Sequence, residues 1–153
     1  MTETNHAHTG QEARLNISLL VLRVIVGVIF MAHGAQKMFG WFDGPGLAAV
    51  VEGMGPIGYL VAAGEFFGGL GLVVGFLSRF SAASLIVIML GAIAQVHGAH
   101  GFFMSDSGFE YNLALIGLLV PVLLLGPGGY AVSRLIARLG ETRVPGSFVA
   151  ALD

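Results

Sequence analysis

The chain has 153 residues, of which 56% are apolar and 10% are charged, and its mean hydropathy is +0.86. Soluble domains carry roughly a quarter charged residues, so this composition excludes an ordinary water-soluble domain and predicts an integral membrane protein. A net charge of −2 excludes the basic footprint of a nucleic-acid-binding protein. Because the chain has no cysteine, it contains no disulfide or thiol relay, and redox chemistry would need a cofactor from elsewhere.

Four long apolar runs dominate the sequence, at residues 15–35, 57–77, 81–96 and 112–126. A helix needs about 20 residues to cross a hydrocarbon layer of roughly 30 Å, and the two later runs reach that length when residues 97–100 and 109–111 are included. The runs lack the alternation of a membrane β-barrel. We therefore predict an all-α integral membrane four-helix bundle over residues 15–130, preceded by a mobile polar segment, 1–14, and followed by an amphipathic or mobile segment, 131–153.

The basic residues of the connections predict the orientation of this bundle. One side carries Lys37 alone, and the other carries five arginines: Arg14, Arg79, Arg134, Arg138 and Arg143. Since cytoplasmic loops are enriched in lysine and arginine, both termini are predicted to be cytoplasmic. We expect a multi-pass protein of a bacterial-type cytoplasmic (inner) membrane.

The few polar residues within the runs gather toward the predicted outer ends. His33 and Lys37 share a helix face at i, i+4, and His97 and His100 close the third run at i, i+3. Glu65 is expected roughly 12 Å below the outer boundary, from a helical rise of about 1.5 Å per residue. Burial of an ionised side chain there costs about 2.5 to 3.5 kcal/mol. Glu65 must therefore carry a proton or pair with a cation, for which Arg23, Lys37 and a protonated histidine are the candidates.

The same residues are compatible with more than one role. Glu65 could form a structural ion pair or line a functional pocket, while Arg23, near the inner end, is better explained by a structural pair. Imidazoles beside a carboxylate can exchange protons with a quinone or another carbonyl compound, or hold a metal ion. Asp106 and Glu110 approach from the last outer loop. In the first outer loop, Trp41 is either an interfacial anchor or part of a lid over an apolar ligand.

Glycines are frequent, and those of the second run form a stripe on one helix face. Gly64, Gly68, Gly71 and Gly75 follow helical spacing. Small residues at this spacing let helix backbones approach closely in lipid, so the stripe predicts a helix-packing surface. The glycines lie within membrane spans and follow no strand, which argues against a nucleotide-binding loop.

Several short motifs occur along the chain in this order: Arg23 to Gly27, His33-Gly34 with Lys37, Gly64-Glu65 before the glycine stripe, Arg79, His97, and Gly126-Pro127-Gly128-Gly129-Tyr130. This ordered set resembles the DoxX family of small four-span membrane proteins, over roughly residues 20–134. One departure is that Ala131 and Ser133 stand where family members commonly have a serine and an aspartate.

The resemblance implies a membrane subunit of an oxidoreductase system that binds a quinone, or a similar apolar redox ligand, and works with a soluble redox partner protein. We place its proton-coupled pocket near the outer membrane face. On this hypothesis His33, Glu65 and His97 have catalytic roles. The predicted ligand-binding residues are Arg23, Lys37, Trp41, His100 and Glu110.

Two other functions stay open at this point. The chain could be a non-catalytic scaffold or a lipid-binding module, in which Arg23 and Glu65 hold the helices together. It could also be a metal-binding membrane protein that uses His33, His97 and His100. Membrane lipid is an expected partner in every case, and the sequence leaves open whether the chain forms an oligomer.

Overall fold

The computed structural model describes residues 2–140, with side-chain environments for residues 10–137, and is helical with short connections. The predicted mobility of residues 1–14 stays a prediction. Arg143 and the rest of the predicted C-terminal segment after residue 140 lie outside the described residues. The helices are α1 (Thr2–Phe39), α2 (Gly46–Met54), α3 (Ile57–Val74), α4 (Ser78–Ala92), α5 (Glu110–Leu125) and α6 (Val132–Gly140).

Three helical stretches are long and apolar enough to cross a membrane. They are Gly10–Phe39 within α1, Ile57–Val74, which is α3, and Ser78–His100, which is α4 with its continuation. The fourth apolar helix, α5, has 16 residues and is shorter than a typical span of about 20 residues. The predicted all-helical membrane class is therefore confirmed for three spans.

The four apolar helices pack in an antiparallel order. Helix α1 makes its largest contact with α3, α3 packs against α4, α4 against α5, and α5 returns to α1. Arginines 14, 23, 79 and 134 lie at one end of this arrangement, which we call the arginine end. The opposite end, called the histidine end, carries His33, Lys37, His97, His100 and Glu110. The shared core consists of apolar side chains: Val26, Phe30, Leu72, Ala82, Leu85, Met89, Leu115, Leu119 and Val122.

Glycines set the distances between these helices, as the sequence predicted. A Cβ atom on Gly27 would lie 2.6 Å from the Gly69 carbonyl oxygen, so the backbones of α1 and α3 are nearly in contact. Three glycines of the stripe, Gly64, Gly68 and Gly71, face α4; a Cβ on Gly64 would meet Ile88 at 2.8 Å and one on Gly71 would meet the Ser81 hydroxyl at 2.6 Å. Small residues are therefore required on both sides of α3.

Two local features were absent from the sequence prediction. The connection between α1 and α3 contains α2, which packs against both helices and buries Val50. Helix α4 continues through a π-helical turn, Ile93–His97, into a 3₁₀ turn, Gly98–His100. The π turn adds a residue to the helical repeat and thereby changes the direction in which His97 points.

Candidate functional site

An ion pair between Lys37 and Glu65 joins the last turn of α1 to the middle of α3. The Lys37 ammonium group donates a short hydrogen bond to the Glu65 carboxylate. The Glu65 side chain is only 4% exposed, whereas 26% of the Lys37 side chain is exposed. The sequence left two ways to compensate the buried charge of Glu65, a bound proton or a cationic partner. The structure contains a cationic partner. The lysine can still present its remaining hydrogen-bond donors at the surface.

A series of aromatic rings connects α3 to the segment between α1 and α2. The ring of Phe66, which follows Glu65 in the chain, contacts Phe39 edge-to-face with centroids 5.3 Å apart, and Phe39 in turn lies 5.3 Å from Trp41. Trp41 is 56% exposed. Gly34 makes this arrangement possible because a Cβ atom there would lie 2.3 Å from the Phe66 backbone nitrogen. Sequence reasoning missed Phe66, although its position next to Glu65 was a usable signal.

His33 lies one helical turn from Lys37 and faces the first turn of α5. Its imidazole is exposed and its centroid is 6.3 Å from the Tyr111 ring. Glu110 stands beside Tyr111 and is half-buried in that first turn, where a carboxylate is favoured by the helix dipole. The structure thus brings the first turn of α5 alongside His33, while Lys37 is directed to α3.

The two histidines of α4 have a different environment. The Nδ1 atom of His97 lies 2.7 Å from the Ser107 carbonyl oxygen, and that of His100 lies 2.9 Å from the Val96 carbonyl oxygen. These bonds connect His97 to the loop between α4 and α5, and His100 to its own helix. Both hydrogen bonds go to main-chain oxygens and bear on local structure, so they do not test catalysis or ligand binding. The predicted catalytic role of His97 and ligand-binding role of His100 stay predictions.

Arg23 lies about 21 Å from Lys37 along α1, from its position 14 residues earlier and a rise of about 1.5 Å per residue. Its side chain is 1% exposed. The guanidinium Nη1 donates to the carbonyl oxygens of Leu72 and Val73, each at 2.7 Å, and Nη2 donates to that of Tyr130. Arg23 therefore binds carbonyls of the last turn of α3, where the Leu72 oxygen also accepts the Gly75 N–H at 3.3 Å. The structure does not bring it to the Lys37–Glu65 pair.

The described part of the chain includes two open grooves. One, of about 410 Å³, lies between α1 and α5 and has an almost entirely apolar lining: Ile17, Ser18, Val21, Leu22, Ile25, Val26 and Leu118. The other, of about 280 Å³, lies at the start of α6. His33, Glu65 and His97 line neither of them, so the pocket predicted around these residues stays a prediction. Within residues 10–137, no group of three or more histidine, aspartate and glutamate side chains is arranged to hold a metal ion.

Comparison with known proteins agrees with this architecture. The DoxX family model matches residues 18–98. The chain is 29% identical over 124 residues to inner membrane protein YqjF of Escherichia coli, covering 79% of this chain and 93% of that protein. It is 32% identical over 108 residues to putative oxidoreductase CatD of Bacillus subtilis, covering 67% and 75%. An uncharacterized membrane protein of Mycobacterium tuberculosis is 28% identical over 138 residues, covering 79% and 82%.

No solved structure matches the chain significantly. The family match covers more than half of the sequence, from α1 to the π turn after α4, and includes both residues of the ion pair. The chain belongs to the DoxX family of membrane proteins.

Proposed function

We propose that this protein is the membrane-embedded subunit of an oxidoreductase system and that its Lys37–Glu65 pair binds an apolar redox ligand with a carbonyl head group, such as a quinone. The observation that carries the proposal is a buried carboxylate whose cationic partner is partly exposed. One relative's name, putative oxidoreductase, gives the reaction class. A membrane charge kept at a cost of several kcal/mol is more often functional than incidental.

The proposed membrane arrangement is a four-span bundle with α5 as the fourth span and both termini in the cytoplasm. The described arginines of the arginine end support this orientation because cytoplasmic segments are enriched in such residues. A relative described as an inner membrane protein supports the same membrane. The Lys37–Glu65 pair would then lie in the outer half of the bilayer.

The chemistry assigned to the pair is positioning and proton transfer. Lys37 has three N–H donors, of which one is directed to Glu65, so the others are available for a ligand carbonyl oxygen. Glu65 holds the ammonium group in place, and Lys37 would donate a proton to the ligand oxygen as that oxygen is reduced. His33, one turn away and exposed, could take up the replacement proton from water. A soluble partner protein would supply the electrons.

The aromatic side chains provide the apolar part of this site. Trp41, Phe39 and Phe66 form a continuous series of ring contacts, and Phe66 follows Glu65 in the chain. Flat rings of this kind can stack on a quinone ring. Trp41 is also the chain's single tryptophan, so its fluorescence reports directly on this site.

The test is a titration of the full chain, in lipid nanodiscs, with a ubiquinone or menaquinone analogue while Trp41 fluorescence is recorded. We expect saturable quenching, and at least about tenfold weaker binding in Lys37→Met and Glu65→Gln, because a hydrogen bond to a charged group contributes about 1.5 to 3 kcal/mol. The control is Glu52→Gln on the exposed surface of α2, which should bind normally. Unchanged affinity in both site variants, with the variants folded, would reject the proposal.

A second function is favoured by the close packing of α1 and α3. The same ion pair could serve only to hold these helices together in a scaffold or lipid-binding protein. The reversed pair, Lys37→Glu with Glu65→Lys, separates the two functions. If a ligand needs the lysine at position 37, the reversed pair should restore stability but should not bind the quinone. A wild-type protein that shows no saturable quenching supports the scaffold.

A further inference from the structure

Helix α6 exposes an apolar face that no described part of the chain covers. Val132, Leu135 and Ile136 are 42%, 58% and 43% exposed, and at positions i, i+3 and i+4 they share one side of the helix. Arg134 is exposed on another side. The combination of an apolar face and a basic face is typical of helices that lie in a membrane interface.

The position of α6 relative to the spans is fixed by hydrogen bonds. The backbone N–H of Ser133 donates to the Gly75 carbonyl oxygen at 3.1 Å, and Gly75 caps the C-terminus of α3. Arg23 binds both the last turn of α3 and the Tyr130 carbonyl. Since α3 ends at Val74 and α4 begins at Ser78, this turn closes two candidate spans at the arginine end, and α6 lies at the same level.

The close contact between α6 and this turn leaves little freedom of movement. Ala131 is buried, and a Cβ atom on Gly75 would lie 2.8 Å from the Ala131 Cβ. Before it, the Gly129 N–H donates to the Asn16 side-chain oxygen at 2.8 Å. The segment between α5 and α6 is thus bound to both α1 and α3. The exposed apolar face cannot fold back onto the bundle without breaking these contacts.

The charges at the level of α6 favour contact with an anionic lipid surface. Arg14, Arg79 and Arg134 are exposed at the arginine end, with Glu12 as an exposed acidic residue near Arg14. Each basic residue near an anionic bilayer contributes about 1 kcal/mol of attraction. Arg79 and Arg134 stand on separate elements that flank the α3–α4 turn, so phosphate groups there can contact both.

We propose that α6 lies in the headgroup layer of an anionic phospholipid membrane, with Val132, Leu135 and Ile136 inserted among the acyl chains and Arg134 and Arg79 bound to lipid phosphates. The contacts of Arg23 and Gly75 hold the helix at this depth. This inference depends on the arginine end alone and is independent of the function proposed for Lys37 and Glu65.

The absence of cysteine allows a direct depth measurement with single-cysteine variants of the full chain. Leu135→Cys is labelled with a fluorophore in nanodiscs that contain phosphatidylglycerol and phosphatidylcholine. Val87→Cys, 68% exposed on α4, is the control for deep lipid, and Glu52→Cys on α2 is the control for water. We expect the residue 135 label to be quenched most by lipids with a nitroxide near the headgroup, and the residue 87 label by nitroxides deep in the acyl chain.

Two results of the depth measurement would overturn the proposal. Quenching of the residue 135 label by aqueous iodide, as strong as for residue 52, would place α6 in water. Protection from both iodide and lipid nitroxides would show that a protein, such as a second copy, covers the face. Strong headgroup-level quenching supports the membrane occupant.

The electrostatic part is tested with spin-labelled phosphatidylglycerol and phosphatidylcholine, whose ratio at the protein surface is measured by electron spin resonance. Arg79→Gln and Arg134→Gln should each lower the preference for phosphatidylglycerol up to about fivefold, which corresponds to about 1 kcal/mol for each charge. Asp106→Asn changes one charge at the histidine end and should leave the preference unchanged. An equal preference in the wild type and both arginine variants would reject the arginine–phosphate contacts.

Discussion

Lys37 and Glu65, 28 residues apart in the chain, form an ion pair that joins α1 to α3. The carboxylate is buried and the ammonium group is partly exposed, so the two residues contribute unequally to stability. Removal of the lysine leaves a charge without a partner inside the protein, whereas removal of the glutamate leaves a lysine that can turn toward the surface.

The first prediction uses this asymmetry. Lys37→Met should lower the free energy of unfolding by about 3 kcal/mol, the cost of an uncompensated buried charge, and Glu65→Gln by about 1 kcal/mol, because the amide oxygen still accepts a hydrogen bond. The double variant Lys37→Met with Glu65→Gln should lose less than the sum of the two single losses. Reversible unfolding in mixed micelles measures all three. Additive losses would show that the two side chains do not interact.

The second prediction concerns Arg23. Arg23→Lys keeps the charge but loses the forked geometry that reaches the carbonyls of α3 and of Tyr130, so we expect a loss of about 2 kcal/mol or more. Amide hydrogen exchange should accelerate around Ser133, because α6 loses its anchor. Arg79→Lys is the matched control. Arg79 is exposed and donates to Leu124 at 3.2 Å, so this change should cost less than about 0.5 kcal/mol.

The third prediction tests the contact between the α1 and α3 backbones. Gly69→Ala places a Cβ atom 2.6 Å from the Gly27 carbonyl oxygen and 2.7 Å from the Met31 nitrogen. Because both neighbours are backbone atoms, the helices must separate, and we expect a loss of at least about 1 to 3 kcal/mol. Gly117→Ala on α5, where nothing lies within 4 Å, should be neutral or stabilising. Equal melting temperatures for the two variants would contradict this packing.

The fourth prediction concerns His97 and the loop that precedes α5. Loss of its 2.7 Å contact with the Ser107 carbonyl oxygen in His97→Ala should accelerate amide exchange in residues 103–108 and leave global stability within about 1 kcal/mol. His100→Ala removes a contact within its own helix and should leave that loop unchanged. If the two variants accelerate exchange in the loop equally, His97 has no special part in ordering it.

Composition and apolar periodicity determined the helical membrane class, because lipid leaves few alternatives for a chain with so little charge. They also located the apolar helices and the glycine stripe. The short α2 was missed, since nine residues are too few to show a sustained helical period. The π turn was missed because it depends on one inserted residue rather than on residue type.

The energetic cost of burying Glu65 and Arg23 was predictable from the sequence, but tertiary structure decided which groups each side chain binds. Any chain of this composition must compensate Glu65, and Arg23, Lys37 and the histidines were all candidates. The antiparallel register of α1 and α3, fixed by glycines that allow their backbones to touch, places Lys37 opposite Glu65 and Arg23 opposite the end of α3. A buried charge requires a partner, and the distances between the helices decide which candidate side chain lies within hydrogen-bonding reach.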